Sequence, residues 1–306
     1  MKGGVKISLS SGSLFTLPLR RGFELAAEAG FDGVELIINQ EFQRVNPVKV
    51  VRALQEICPI NSIHAPFMPL DGWGGPAQSL SHSVELAAET GIPLVNFHPP
   101  SWMGGEFGFW RWLYKIRDFQ QEVGLGGEVL VTLENMPWVG GRLKINPNIL
   151  SATRDLVTFV QDHNLFLTFD TTHMGSGKVN FINDFYLCYE SGRIRNVHFS
   201  DYGFDREHLI PGHGRLPLTR FLNHLRHTDY QGCVTLEVSP HELPKDEQVI
   251  LPTLKEVLTY LRVETGILPA SAMELFEPIV PLEIEDETLA DLPDQYGHQP
   301  YRSAHD

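Results

Sequence analysis

The sequence predicts a (β/α)8 barrel in a single domain over residues 1–265. Three observations point to it. Apolar strand patterns alternate with helical periodicity eight times in about 260 residues, the length and rhythm of that fold. Prolines near the starts of helical stretches and glycines at their ends mark boundaries, as Pro76 and Gly91 do. Strand after strand also changes from apolar to ionisable at its C-terminal end, most sharply in Leu165-Phe-Leu-Thr-Phe-Asp-Thr-Thr-His173, and that end is where such barrels build sites. A doubly wound open sheet is the alternative. It would more often carry a glycine-rich nucleotide turn after its first strand, and none is present.

Residues 5–9 read as the first strand, followed by a Ser/Gly turn and a helix over 19–29 in which Phe23, Ala26 and Ala27 share a face. Residues 33–38 form the second strand and 47–57 the second helix. The third strand, 61–66, is stopped by Pro66, and 76–90 is helical. The fourth strand, 94–100, leads into a Trp/Gly/Phe-rich loop and a helix over 110–123. The fifth strand is 128–134, with its helix within 146–163. Strand 165–170 pairs with helix 181–190, strand 194–199 with helix 217–227, and strand 232–238 with helix 245–263. Residues 266–306 differ in character. They hold Pro269, Pro278, Pro281, Pro293 and Pro300 and the acidic run Glu283-Ile-Glu-Asp-Glu287, and read as an extended or partly disordered tail. Leu275, Phe276, Ile279 and Val280 offer an apolar grip by which the tail could wrap the barrel or a second subunit of a homo-oligomer.

At 306 residues the chain is long enough for a large core, and its 42% apolar and 20% charged residues are those of an ordinary soluble globular protein. The formal net charge of −14 argues against a protein that coats nucleic acid or anionic membrane but does not exclude an enzyme that meets DNA over a small patch; a small molecule is the expected partner on the ground of the aromatic and glycine-rich loops. Cys58, Cys188 and Cys233 lie far apart in or beside apolar runs, without metal spacing. They read as buried thiols in a reducing, cytoplasmic compartment. No basic-then-apolar leader opens the chain, and no apolar run is long enough to span a bilayer.

The C-terminal ends of barrel strands converge on one mouth. Those positions hold His64, His98, Glu134, Asp170 with His173, His198 and Glu237, while Asp205 and His208 lie in the loop beyond the seventh strand. Oxygen and imidazole donors of this kind suit Mn2+ or Zn2+, with Mg2+ or Co2+ compatible, and the lack of cysteine argues against a thiolate zinc site. Glu134 and Glu237 sit in apolar strands, where a carboxylate is costly without a cation. Glu134, Asp170, His198 and Glu237 are therefore read as metal ligands. His64 and His98 read as core histidines, substrate contacts or further ligands, and His173 as a substrate contact or ligand. Asp205 and His208 read as additional ligands or as solvated loop residues. Arg206 is a candidate for holding substrate oxygens, against a plain surface charge. His213, in Pro211-Gly-His-Gly214, reads as completing a tight turn.

Seven stretches carry a resemblance: Ser62-Ile-His-Ala-Pro66, Val95-Asn-Phe-His-Pro99, Thr132-Leu-Glu-Asn135, Phe169-Asp-Thr-Thr-His173, Asn196-Val-His-Phe-Ser-Asp201, Pro211-Gly-His-Gly214 and Tyr230-Gln-Gly-Cys-Val-Thr-Leu-Glu237. In this order and spacing they resemble the xylose isomerase-like TIM-barrel superfamily, which includes sugar isomerases and epimerases and the AP endonuclease family 2 enzymes. The resemblance spans most of residues 5–262 and leaves out the tail. For an epimerase it implies one divalent ion on Glu134, Asp170, His198 and Glu237, with His173 on the substrate. For the endonuclease branch it implies three zinc ions on His64, His98, Glu134, Asp170, His173, His198, Asp205, His208 and Glu237. The last loop departs from that branch, whose pattern is Asp-Arg-His; this chain reads Asp205-Arg-Glu-His208, one residue longer.

A metal chelated by the hydroxyl and carbonyl of a sugar acidifies the C–H between them. Two carboxylates on opposite sides can then remove and return the proton through an enediolate. Glu134 and Glu237 are the expected acid/base pair. The loops Ser101-Trp-Met-Gly-Gly-Glu-Phe-Gly-Phe-Trp110 and Pro137-Trp-Val-Gly-Gly141 suit lids and walls around a small ligand, with only Arg111, Lys115, Arg142 and Lys144 nearby in sequence to meet phosphates. The expected function is a metal-dependent sugar isomerase or epimerase. The alternatives are an endonuclease IV-like trinuclear-zinc phosphodiesterase acting on abasic DNA, and a barrel that binds a ligand without catalysis.

Overall fold

The structure, a computed structural model, describes residues 4–140, 143–177 and 180–275. Eight parallel strands close into a barrel: β1 (Lys6–Ser10), β2 (Gly33–Ile37), β3 (Ile60–His64), β4 (Leu94–Phe97), β5 (Leu130–Glu134), β6 (Phe166–Asp170), β7 (Ile194–Phe199) and β10 (Cys233–Leu236), the last pairing back onto β1. The remaining two strands, β8 (Asp201–Gly203) and β9 (Arg206–Leu209), form an antiparallel hairpin inserted after β7.

Period-two alternation gives each barrel strand two faces. One face is apolar: Leu36, Ile63, Val95, Val131, Leu133, Leu167, Phe169, Val197 and Val234 belong to the buried core beneath the helices. The other face is polar and fills the lumen: Ser8, Glu35, Ser62, Asn96, Thr132, Thr168, Asn196 and Thr235 are all buried. Alternation of this kind would ordinarily mark a half-exposed strand. Here it marks a strand buried on both sides whose inner face is held by hydrogen bonds.

The helices follow the sequence closely where caps are strong. Helices α1 (Leu19–Ala29) and α3 (Pro76–Thr90) end at Gly30 and Gly91, both left-handed at φ 94° and 72°. The second helix, α2 (Pro47–Gln55), starts on its proline. The helix expected over 110–123 is two, α4 (Phe107–Lys115) and α5 (Phe119–Glu122). They part where the Asp118 side chain accepts the Gln121 N–H and Glu122 accepts those of Arg117 and Asp118. Helix α6 (Thr153–Asp162) lies within the expected 146–163; before it Leu150 adopts φ 66° and the segment bridges to the β4 loop through Ser101 and Asn148. A short α7 (Thr171–Gly175) and the β8–β9 hairpin were not expected. Helices α8 (Phe181–Glu190), α9 (Leu218–His227) and α10 (Glu247–Glu264) complete the outer ring.

The three cysteines are free and buried. Among the described residues, no helix is long and apolar enough to cross a membrane. A 3-10 helix, Ala270–Leu275, follows α10. Phe276, Ile279, Val280 and the acidic run at 283–287 lie outside the described residues, as does Arg142.

Candidate metal centre

Asp170 closes β6 and caps α7. Its Oδ1 accepts the His173 N–H at 2.7 Å, while its backbone is clamped by Asn135, which accepts its N–H at 2.8 Å and donates to its carbonyl at 2.9 Å. Its Oδ2 has no donor. Capping the helix thus takes one oxygen and leaves the other without a partner. Glu134 closes β5, and Asn96 Nδ2 donates to its Oε2 at 2.5 Å. In β7, His198 sits in register with Asp170. Glu237 follows β10, and Ser13 Oγ holds the next N–H, that of Val238, at 3.0 Å. His198 Nδ1 lies 2.8 Å from Glu237 Oε2, 3.4 Å from Glu134 Oε1 and 3.7 Å from Asp170 Oδ2. One ligand atom from each of Glu134, Asp170, His198 and Glu237 lies within 4.8 Å of the others.

Three carboxylates gathered around one imidazole in a buried site need positive charge. Asp170 Oδ2 and His198 Nδ1 are buried without a hydrogen-bond partner, and both belong to this donor set. Orphaned acceptors there, with only oxygen and nitrogen donors around them, fit a divalent cation.

Two further groups adjoin it. His64, ending β3, and His98, just after β4, bring their Nε2 atoms 3.1 Å apart and to 3.4 and 3.5 Å from Glu134 Oε2. Glu134 is therefore shared between two donor groups. Asp170, His173 and His208 form the third. His173 Nδ1 lies 3.0 Å from the Asn135 carbonyl and 3.1 Å from Glu134 Oε1, and the rings of His173 and His208 meet edge to face.

Asp205 does not join them. It occupies the β8–β9 turn at φ 55°, with its side chain 71% exposed and its carboxylate on the Tyr202 hydroxyl and the Lys144 ammonium. The extra residue of Asp205-Arg-Glu-His208 is absorbed where Gly203 pairs with Arg206, so that His208 alone reaches inward. Arg206 is exposed and ion-paired with Glu242. The His213 N–H donates to the Ile210 carbonyl at 2.9 Å, in a turn held by the Asp201 carboxylate through the N–H groups of Gly212, Gly214 and Leu216.

Burial opposes charge throughout the cluster, and opposite charges answer it. Glu134 is penalised by burial, yet the charges of His198 and His98 and the hydrogen bond from His173 hold its pKa well below the ordinary value. Glu237 is lowered against burial by His198 and then His208. At Asp170 burial wins and raises the pKa. Burial would deprotonate His173, but Asp170 and Glu134 raise it to about 10. His198 is pushed well above the ordinary value by Glu35, Glu237 and Glu134, again against burial. The two outer histidines diverge: Glu134 overcomes burial at His64 and raises it, whereas burial prevails at His98 and lowers it.

A family model described as xylose isomerase-like TIM barrel matches residues 23–255. The chain belongs to that family. A protein of Mycobacterium leprae (strain TN) described as uncharacterized is 27% identical over 300 residues, covering 85% of this chain and 99% of the relative. Among solved structures, an L-ribulose 3-epimerase superposes with a TM-score of 0.61 at 16% identity, covering 90% of this chain and all (100%) of that one. An endonuclease IV from Thermus thermophilus superposes at 0.57 and 18% identity, covering 86% and 100%. At these identities the likeness is one of fold.

In this xylose isomerase-like barrel, further residues brace the candidate ligands. Glu35 lies fully buried in β2, 2.7 Å from His198 Nε2. Its signal was available: a lone carboxylate inside the strand Gly33-Val-Glu-Leu-Ile. The braces Asn96 and Asn135 gave a weaker one, since an asparagine at a strand end reads equally well as a turn residue.

Proposed function

We propose that this chain is a divalent-metal-dependent isomerase or epimerase of a sugar or related polyol. The observation that carries this is the placing of two carboxylates, Glu134 and Glu237, on strands three steps apart around the barrel and on either side of His198 Nδ1. A divalent ion held by Glu134, Asp170, His198 and Glu237 would supply Lewis-acid polarisation of the substrate carbonyl. The protein's own groups do the rest. Both glutamates are held ionised by the neighbouring histidines, the state a proton acceptor requires. One carboxylate removes the proton from the carbon between hydroxyl and carbonyl and becomes the acid; the other, once protonated from solvent, delivers its own proton to the opposite face or to the neighbouring carbon and is left as the carboxylate. His173, fixed by the Asn135 carbonyl, is placed to hold a substrate oxygen.

The walls support a small substrate. Two pockets of about 370 and 320 Å3 flank the mouth, sharing the exposed Phe67-Met68, with no lysine or arginine in either wall, and a larger one of about 750 Å3 reaches Asn135 and His173 and includes Arg154. Among the described residues, Lys144 is taken up by Ser176, Tyr202 and Asp205, Arg206 by Glu242, and Arg215 lies over the Phe204 ring, while Arg154 lines the pocket that reaches His173.

One observation favours the endonuclease-type reading: the groups His64–His98–Glu134 and Asp170–His173–His208 add two possible metal positions beside the first. A paired assay separates the readings. Isomerisation or epimerisation of ketoses and aldoses is followed by chromatography, and nicking of an abasic duplex by gel. We expect metal-dependent sugar turnover that survives His208→Ala. Metal-dependent nicking by the wild type, lost in His208→Ala, would overturn the proposal. Silence in both assays would favour a barrel that binds without catalysis.

A further inference from the structure

We infer that Glu35 is a positioning residue that fixes the His198 ring, holding Nε2 so that Nδ1 is presented to the three carboxylates of the mouth. Glu35 lies in β2, beside an irregularity in the β2–β3 register between Val34 and Glu35, of the kind that re-aims a side chain. From there its carboxylate crosses the lumen to β7, which is not a neighbour of β2 in the barrel. Its Oε2 accepts from Ser62 Oγ at 2.7 Å and from Asn196 Nδ2 at 2.9 Å, and Asn196 Oδ1 in turn accepts from Thr235 Oγ1 at 2.9 Å. One oxygen is thereby anchored from two strands.

The other, Oε1, is buried and lies 2.7 Å from His198 Nε2, and neither atom has a partner elsewhere. Glu35 is not itself among the groups placed to ligate. A buried carboxylate anchored on one oxygen and aimed at the back of a ligating imidazole has one evident use: it sets which nitrogen carries the proton and where the ring points.

The inference rests on the metal-centre reading, and its test separates the two. Glu35→Gln keeps the size of the side chain and can keep the Ser62 contact while removing the charge behind His198. Titration of the full chain with Mn2+ alone, by calorimetry or chelator competition, should show affinity reduced by about ten- to a hundredfold in Glu35→Gln. Glu35→Asp, which retains the charge at shorter reach, should fall between. The melting temperature of the metal-free proteins is measured alongside. Equal Mn2+ affinity in wild type and Glu35→Gln, whatever the change in melting, would reduce Glu35 to a packing role and overturn the inference. Should the wild type bind no Mn2+, the metal reading fails, and nitrogen-15 spectra of the His198 ring still decide on Glu35. The expected result is a proton on Nε2 in the wild type that is lost or redistributed in Glu35→Gln. Identical ring shifts in the two proteins would contradict it.

Discussion

On four strands the same inward face carries a neutral residue and then, two positions on, a candidate ligand: Thr132 and Glu134, Thr168 and Asp170, Asn196 and His198, Thr235 and Glu237. The neutral layer is fully hydrogen-bonded. Thr168 donates to Thr132 at 2.8 Å, Thr132 to Asn96 at 3.3 Å, and Thr235 to Asn196 at 2.9 Å. The layer above is not. Among the described residues, the buried side-chain atoms without a hydrogen-bond partner are Glu35 Oε1, Asp170 Oδ2, both ring nitrogens of His198 and, away from the mouth on α9, His224 Nε2. Both layers use polar side chains in a closed lumen, so polarity alone does not mark the site. Unmet polarity does, because burying an unpaired polar atom is costly unless something other than the polypeptide pairs it.

The sharpest way to break this contrast is to change the charged layer without changing its shape. Glu134→Gln or Glu237→Gln should reduce exchange of a substrate C–H with solvent deuterium to background, because each removes a proton carrier. Metal content must be measured in parallel, since each also weakens a ligand. Full exchange in a metal-loaded variant would show that its glutamate is not an obligatory carrier.

A smaller effect follows from the protonation states. His173, with its folded pKa raised to about 10 from an unfolded value of about 6.5, contributes stability that is complete below the unfolded value and lost as pH rises through the folded one. Glu134 and Glu237, with depressed folded pKa values, contribute stability that is present above the unfolded carboxylate range and lost as pH falls through their folded values. At neutral pH the metal-free mouth therefore holds protons on imidazoles that a cation must displace. Metal uptake should release protons, and affinity should rise about tenfold per pH unit for each proton released. Calorimetry in buffers of different ionisation enthalpy measures this, and uptake without proton release would contradict it.

The smallest effect belongs to the neutral layer. Thr168→Val removes a hydroxyl whose partner, Thr132, keeps the Val95 carbonyl and Asn96 as acceptors. The expected cost is about 1 kcal/mol of stability in a denaturant titration, with metal affinity unchanged. A loss of affinity comparable to that of Asp170→Asn would erase the distinction between the layers.

What the sequence disclosed follows the same physics. Helices with strong punctuation, such as Leu19–Ala29 and Pro76–Thr90, are visible because a glycine or proline sets each boundary locally. The split between α4 and α5 depends on Asp118 and Glu122 capping within one short segment, which helical periodicity conceals. Glu134, Asp170, His198 and Glu237 announce themselves as charges ending apolar strands. Asp205 looked equivalent to His208 in sequence, but the turn between β8 and β9 directs one outward and the other inward. Glu35 escaped because its purpose is visible only across the lumen, at a histidine more than 160 residues away.

The central claim is that Asp170 Oδ2 and His198 Nδ1, the unpaired atoms within the donor set of Glu134, Asp170, His198 and Glu237, belong to the protein's half of a metal centre. Elemental analysis of the full chain after equilibration with Mn2+ or Zn2+ and removal of free ion tests it most directly, with Asp170→Asn as the comparison. The account predicts at least one ion per chain in the wild type and a marked loss in the variant. No bound ion under either condition, or equal content in wild type and variant, would contradict it.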